Sequence, residues 1–153
     1  MAVEEHITIL GLPGIQMKLD LLEANLFSKA LMTEIGLFAM TRIKTRTLKG
    51  DDANGIMFKP YSDDYAAFRQ EKGLPIDIVD LTLTGSMLSS MSLNADQKQV
   101  KLFFLNTKDP SGTSNPKKAF FLHQDREFFA LSEEDVTDIK KMVERYYNRI
   151  IEG

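Results

Sequence analysis

A chain of 153 residues, 43% of them hydrophobic and 27% charged, is long enough to bury one core without covalent staples and has the composition of a globular domain. It contains no cysteine, which excludes disulfides, thiolate metal sites and cysteine nucleophiles. A formal net charge of −3 argues against the chain as a whole binding nucleic acid by charge, and no apolar run approaches the roughly 18 residues a membrane helix needs.

The N-terminal stretch MAVEEHITIL carries acids where an export signal needs basic residues, so none is expected. Residues 3–10 alternate loosely and predict a short strand, closed by Gly11-Leu12-Pro13-Gly14. Helical character begins near Ile15 and becomes strong over residues 26–47, where Phe27, Leu31, Ile35, Phe38 and Ile43 make one apolar stripe. Gly36 inside that helix costs roughly 1 kcal/mol against alanine and so suggests a close contact with a neighbouring element. The helix should stop at residues 48–50. Residues 51–61 read as a loop, with Asn54-Gly55 as a tight turn. Ser62 is placed to cap a helix over 63–72 that stops at Gly73, and Thr84 to cap a short one over 85–90. Residues 92–106 predict a hairpin that turns at 94–97, with its second strand over 100–105. Residues 107–116 read as a flexible loop of Gly, Pro, Ser and Asn. Periodicity leaves residues 118–124 open between helix and extended chain, and residues 127–131 read as a strand. Ser132 then opens the clearest helix, with a capping box completed by Asp135. Val136, Ile139, Val143, Tyr146, Tyr147 and Ile150 form its apolar stripe, and Lys140, Lys141, Glu144, Arg145 and Arg149 its solvated face. The fold class is therefore α+β: an antiparallel sheet packed against a long N-terminal helix and a C-terminal helix, with short helices in the middle. One domain over 1–153 is expected, residues 1–25 being an N-terminal extension.

No constellation for chemistry stands out. The two histidines, His6 and His123, are far apart in sequence and outside any metal-ligand spacing. His123 in AFFLHQ is expected to be a buried or interface histidine with one hydrogen-bond partner. Nucleophile elbows and phosphate-cradling loops are missing from the sequence. Residues 50–61 begin like a calcium loop, but the first and last ligand places fall on Gly50 and Tyr61, which bring no carboxylate. Asp77 and Asp80 in PIDIVDL read as capping or loop residues. No catalytic, metal or cofactor residue is assigned, and a non-enzymatic role is expected.

Charge and aromatic residues suggest contacts instead. Arg42, Lys44, Arg46 and Lys49 form a basic patch at the end of the long helix. It suits the helix dipole, and it could also meet DNA or an acidic partner. Glu133, Glu134, Asp135 and Asp138 form an acidic patch, so copies of the chain could associate head to tail and close into a ring. Phe58, Tyr61, Tyr65 and Phe68 make one aromatic group, and Phe120, Phe121, Phe128 and Phe129 another around His123. On a strand, Phe128 and Phe129 would face opposite sides, and one of them would need cover from another layer or another subunit. Eight methionines add adaptable apolar surface.

The ordered blocks TRIKTRTLKG, NGIMFKPYSDDYAAFRQEKG, DLTLTGSMLSSM, AFFLHQ and REFFALSEED, spread over residues 26–150, resemble those of the phage virion-morphogenesis, or tail-completion, proteins of the head–tail neck. Two departures stand out. The family's glycine-containing loop between the His-Gln and Arg-Phe-Phe blocks is reduced here to Asp125, and residues 1–25 have no counterpart. The resemblance implies a non-enzymatic virion subunit that helps join head and tail, as a ring, typically a hexamer, around the DNA channel. Its partners would be itself and other neck, connector and tail proteins, with DNA passing through, and with no membrane, cofactor or small-molecule substrate. It would reside in the virion and, during assembly, in the host cytoplasm. Gly55, Phe58 and Tyr61 would shape the loop after the long helix. Thr84, Gly85, Met87 and Ser90 would set the short helix, and Arg126, Phe128 and Leu131 the final strand. The candidate interface comprises Arg42, Lys44, Arg46, Lys49, Phe58, Tyr61, His123, Arg126, Glu133, Glu134 and Asp135. The alternative is a nucleic-acid-binding or regulatory module that uses the basic patch.

Overall fold

A serine followed by a long run of helix formers starts the first helix of the structure, a computed structural model that describes residues 6–10 and 28–152. The expected helical onset near Ile15, the place of Phe27 in the stripe and residues 3–5 of the predicted strand lie outside those residues. Helix α1 spans Lys29–Lys49, and the Ser28 hydroxyl accepts from the Leu31 amide at 3.0 Å. Its end is a left-handed glycine, Gly50 at φ 89°. The Gly50 amide bonds to the Thr47 carbonyl and the Asp51 amide to Arg46, so the last open carbonyls are closed where only glycine adopts that backbone cheaply. Leu31, Met32, Ile35, Ala39, Ile43 and Thr47 form the buried face.

That face lies on a three-stranded antiparallel sheet of order β1-β3-β2. Strand β1 is His6–Leu10, β2 is Met91–Ala95 and β3 is Gln99–Phe104. In β3, Val100, Leu102 and Phe104 are buried while Lys101 is exposed, the alternation expected of a sheet with one covered face. Gly36 sits where α1 crosses this face. A Cβ there would stand 2.6 Å from Cγ2 of Val100 and 3.1 Å from Cδ2 of Leu93, so the glycine permits the close approach its position suggested. The hairpin turns over residues 96–98, overlapping the expected 94–97, and the Asp96 carboxylate accepts from the Lys98 and Gln99 amides at 2.7 and 2.9 Å.

Helix α2 (Asp63–Glu71) is capped by Ser62, and α3 is the single turn Ser86–Ser89. Helix α4 (Asn115–Asp125) settles the open question over residues 118–124 in favour of helix. Helix α5 (Glu133–Glu152) begins with a reciprocal box: the Asp135 amide donates to the Ser132 hydroxyl at 3.0 Å, and the Ser132 amide to the Asp135 carboxylate at 2.9 Å. Of its predicted stripe, Ile139 and Val143 are buried, Val136, Tyr146 and Tyr147 are partly so, and Ile150 is 44% exposed.

Two expectations are overturned. Residues 127–131 form no strand. Irregular backbone lets both Phe128 and Phe129 turn into one core, where their rings lie 6.1 and 4.8 Å from that of Phe104. Both are buried within this chain, so neither needs cover from another subunit. Residues 107–114 form a built turn, not a loose loop, and residues 115–116 already belong to α4. The Asp109 carboxylate accepts from the Ser111 and Thr113 amides and the Ser111 hydroxyl. The fully buried Asn115 side chain donates to the hydroxyls of Thr107 and Ser86, tying the turn to α3.

Candidate functional site

Arg42 and Arg46 lie one helical turn apart and so share a face of α1, as Asp135 and Asp138 do on α5. The two helices run antiparallel, which brings these faces together. Arg42 bonds to Asp138 at 2.6 Å and approaches Glu134 at 3.9 Å, while Arg46 bonds to Asp135 at 2.7 Å. Farther along, the Tyr146 hydroxyl donates to that of Ser28 at 3.0 Å. The Arg42 guanidinium also lies 4.8 Å over the Phe38 ring.

The two ion pairs differ in environment. The Arg42 side chain is 39% exposed, so its pairs are screened and worth little. Arg46 and Asp135 are 13% and 3% exposed. Arg46 also donates to the Ala130 carbonyl, which fixes the irregular entry to α5. Burial pushes the Asp135 carboxyl upward, but the Ser132 amide and the Arg46 guanidinium outweigh it and hold the group below the ordinary aspartate value.

The basic and acidic patches therefore close on each other within one chain, as a clamp of ion pairs between α1 and α5. This corrects the expectation that they face each other across two copies. Of the patch, Lys44 and Lys49 form no ion pair among the described residues. Glu133 and Glu134 are exposed beside the clamp and line a hollow of about 640 Å³ with Lys49, Asn54 and Gly55. Both signs of charge share that hollow, which favours neither anion nor cation.

Pattern reading missed a second arginine. Arg69 sits in a helix with three acids, DDYAAFRQE, which reads as a solvated face. In the structure it is 1% exposed. Its guanidinium donates to the carbonyls of Pro75, at 2.9 Å, and Thr82. It approaches Asp80 at 3.6 Å and lies 4.7 Å over the Tyr61 ring. The signal was available only indirectly, in the long irregular stretch after α2 whose carbonyls need donors.

Tyr61 has Arg69 near its ring, and Arg126 at 5.9 Å. Burial raises its phenol pKa, opposed by the Arg69 charge. Arg126 holds the chain entering α2 through the carbonyls of Lys59 and Pro60. Phe58 is buried in the main core. His123 accepts from the Phe129 amide at 3.3 Å and packs edge-on to Phe128, which makes it a brace with the single partner expected of it. Gly55, at φ 76°, turns the loop below Asp52. The Thr84 hydroxyl accepts from the Ser86 amide at 3.3 Å, while Gly85 takes the left-handed position before α3. Met87, Ser90 and Phe128 are buried and Leu131 packs against the core.

Among the described residues, no three His, Asp or Glu side chains are grouped to hold a metal ion, and no helix is long and apolar enough to cross a membrane. Comparison of the chain with known family models, curated proteins and solved structures gave no match.

Proposed function

We propose that this chain is a non-enzymatic structural subunit of a bacteriophage virion, a neck or tail-completion protein that helps join head to tail as a homo-oligomeric ring. One observation supports the reading most: the sequence blocks that carry the resemblance are bonded to one another. The basic helix end holds REFFALSEED through Arg46, which reaches Ala130 and Asp135. The turn block meets the same block through Arg126, which donates to the Lys59 carbonyl at 3.0 Å. DLTLTGSMLSSM reaches α4, at the start of the AFFLHQ helix, through Ser86 and Asn115. The blocks thus act as one architectural unit, in which each recognised motif has a structural task.

The nucleic-acid module built on residues 42–49 is weaker, because Arg42 and Arg46 are already neutralised by carboxylates. The deciding experiment images particles assembled without the protein. The virion reading expects full heads separated from tails, and normally joined particles would sink it. Native mass spectrometry tests the ring, with a hexamer as the expected mass. Salt-dependent DNA binding at micromolar affinity or better would favour the module instead.

A further inference from the structure

The cleft between the Tyr61 loop and α4 differs in chemistry from the clamp. It measures about 540 Å³, with Tyr61, Tyr65, Leu81 and Leu122 forming an apolar floor. Lys59 and Arg126 stand on its rim, with Asp125 and the Asp109-paired Lys118 beside them. Lys59 is exposed and forms no ion pair among the described residues. The hydrogen bonds from Arg126 go to neutral carbonyls, and it forms no ion pair among the described residues. Such a cleft suits an aliphatic side chain carried next to a carboxylate.

The chain displays such a segment itself. Residues 75–78, Pro-Ile-Asp-Ile, are all exposed and belong to no helix or strand. Ile76 and Ile78 are 37% and 45% exposed, and Asp77 forms no ion pair among the described residues. Ile78 packs beside Gly50, where its Cγ2 would stand 3.1 Å from a Cβ. Leu48, Ile56 and Met57, from the chain before and after that glycine, are exposed at 51%, 64% and 76%. Isolated apolar side chains on a surface need no explanation, but two isoleucines flanking an unpaired acid in one exposed loop give the aliphatic-plus-carboxylate pairing that the cleft suits.

We propose that residues 75–78 of one copy dock in the Tyr61–Leu122 cleft of a second copy, with an isoleucine on the aromatic floor and Asp77 against Lys59. The contact specifies how subunits of the proposed assembly meet, and it rests on that reading for its biological use. Sedimentation velocity over a concentration series tests it directly. The wild-type chain self-associates, and salt weakens the association. Asp77→Lys and Lys59→Glu each weaken it about tenfold or more, because each places like charges opposite one another. Both positions are exposed loop sites, so neither change disturbs the core. The double variant restores the opposite pair in reversed order and associates within about threefold of wild type. A double variant as weak as either single one overturns the contact, and so does a wild-type chain that stays monomeric up to about 1 mM. Charge-swap rescue alongside normally joined virions would remove the virion role and leave the contact standing. Rings that persist without any effect of the swap would remove the contact alone.

Discussion

Arg46 and Arg69 are both arginines that tie distant parts of the chain together, yet they do so against different backgrounds. Arg46 joins two long helices that already share a packed face, and its partner Asp135 is also held by the cap at Ser132. Arg69 holds a stretch with no regular structure, from Pro75 to Thr82, whose carbonyls have few other donors. A charged side chain does more where the backbone around it lacks its own ladder, since a buried carbonyl without a donor loses its full solvation. The helix pair can lose its ion pair and keep its packing. The irregular segment cannot lose its arginine and keep its path.

The largest effect is therefore expected at Arg69. Arg69→Ala should lower stability by about 3–4 kcal/mol, since it strands two carbonyls and leaves Asp80 without its cation. Arg69→Lys should recover little, because one ammonium cannot span the positions that the planar fork reaches. Chemical denaturation of the two variants checks this, and a full recovery with lysine would show that charge matters there more than geometry.

Gly36→Ala comes next, because it asks whether the helix half is held by packing. The added Cβ would stand 2.6 Å from Cγ2 of Val100, a β-branched side chain that is itself completely buried. Overpacking of that kind costs about 1–3 kcal/mol, partly offset by the roughly 1 kcal/mol gain in helix propensity. A net loss of about 2 kcal/mol at most is expected in thermal or urea unfolding. If the variant were more stable than wild type, α1 would not lie as close to the sheet as described.

Much of this helix half could be read from the sequence. Ser28 aside, the caps at Ser62 and Ser132, the stop at Gly50 and the meaning of Gly36 are local signals, each set within a few residues. The basic and acidic patches were also legible, but not their mutual closure, because i to i+4 spacing defines a face without naming what it faces. Phe128-Phe129 misled for a related reason: β-propensity favoured a strand, and tertiary packing around Phe104 placed the pair in a bend. Composition marked residues 107–116 as loose, whereas their order comes from Asp109 and Asn115, two polar residues that satisfy backbone and hydroxyl groups at short range. Arg69 was the least legible, because its partners lie in a segment with no periodicity at all.

The smaller effects separate the two ion pairs of the clamp. Arg46→Ala should cost about 1–2 kcal/mol, less than a fully stranded buried charge, because Asp135 keeps its amide bond and the positive end of α5. Arg42→Ala should cost under about 1 kcal/mol, as its guanidinium is well solvated. A double-mutant cycle on each pair should give the larger coupling for Arg46 with Asp135.

The same pair predicts a pH dependence that packing alone would not produce. The folded pKa of Asp135 is held below its unfolded value, so the stability it contributes is present above about pH 3.9 and is lost as the pH falls through the folded value. Asp109 is lowered too, chiefly by the Ser111 hydroxyl, but it lies outside the clamp and contributes equally to wild type and to an Arg46 variant. The difference in unfolding free energy between wild type and Arg46→Ala therefore isolates Asp135. It should stay constant from about pH 7 to pH 5 and shrink below about pH 4 as the carboxylate is neutralised in both proteins. Urea unfolding of the two proteins at matched ionic strength across that range measures it. A difference that persists undiminished at pH 3 would mean that Arg46 acts through its stem and its bond to Ala130, with the charge pair contributing nothing.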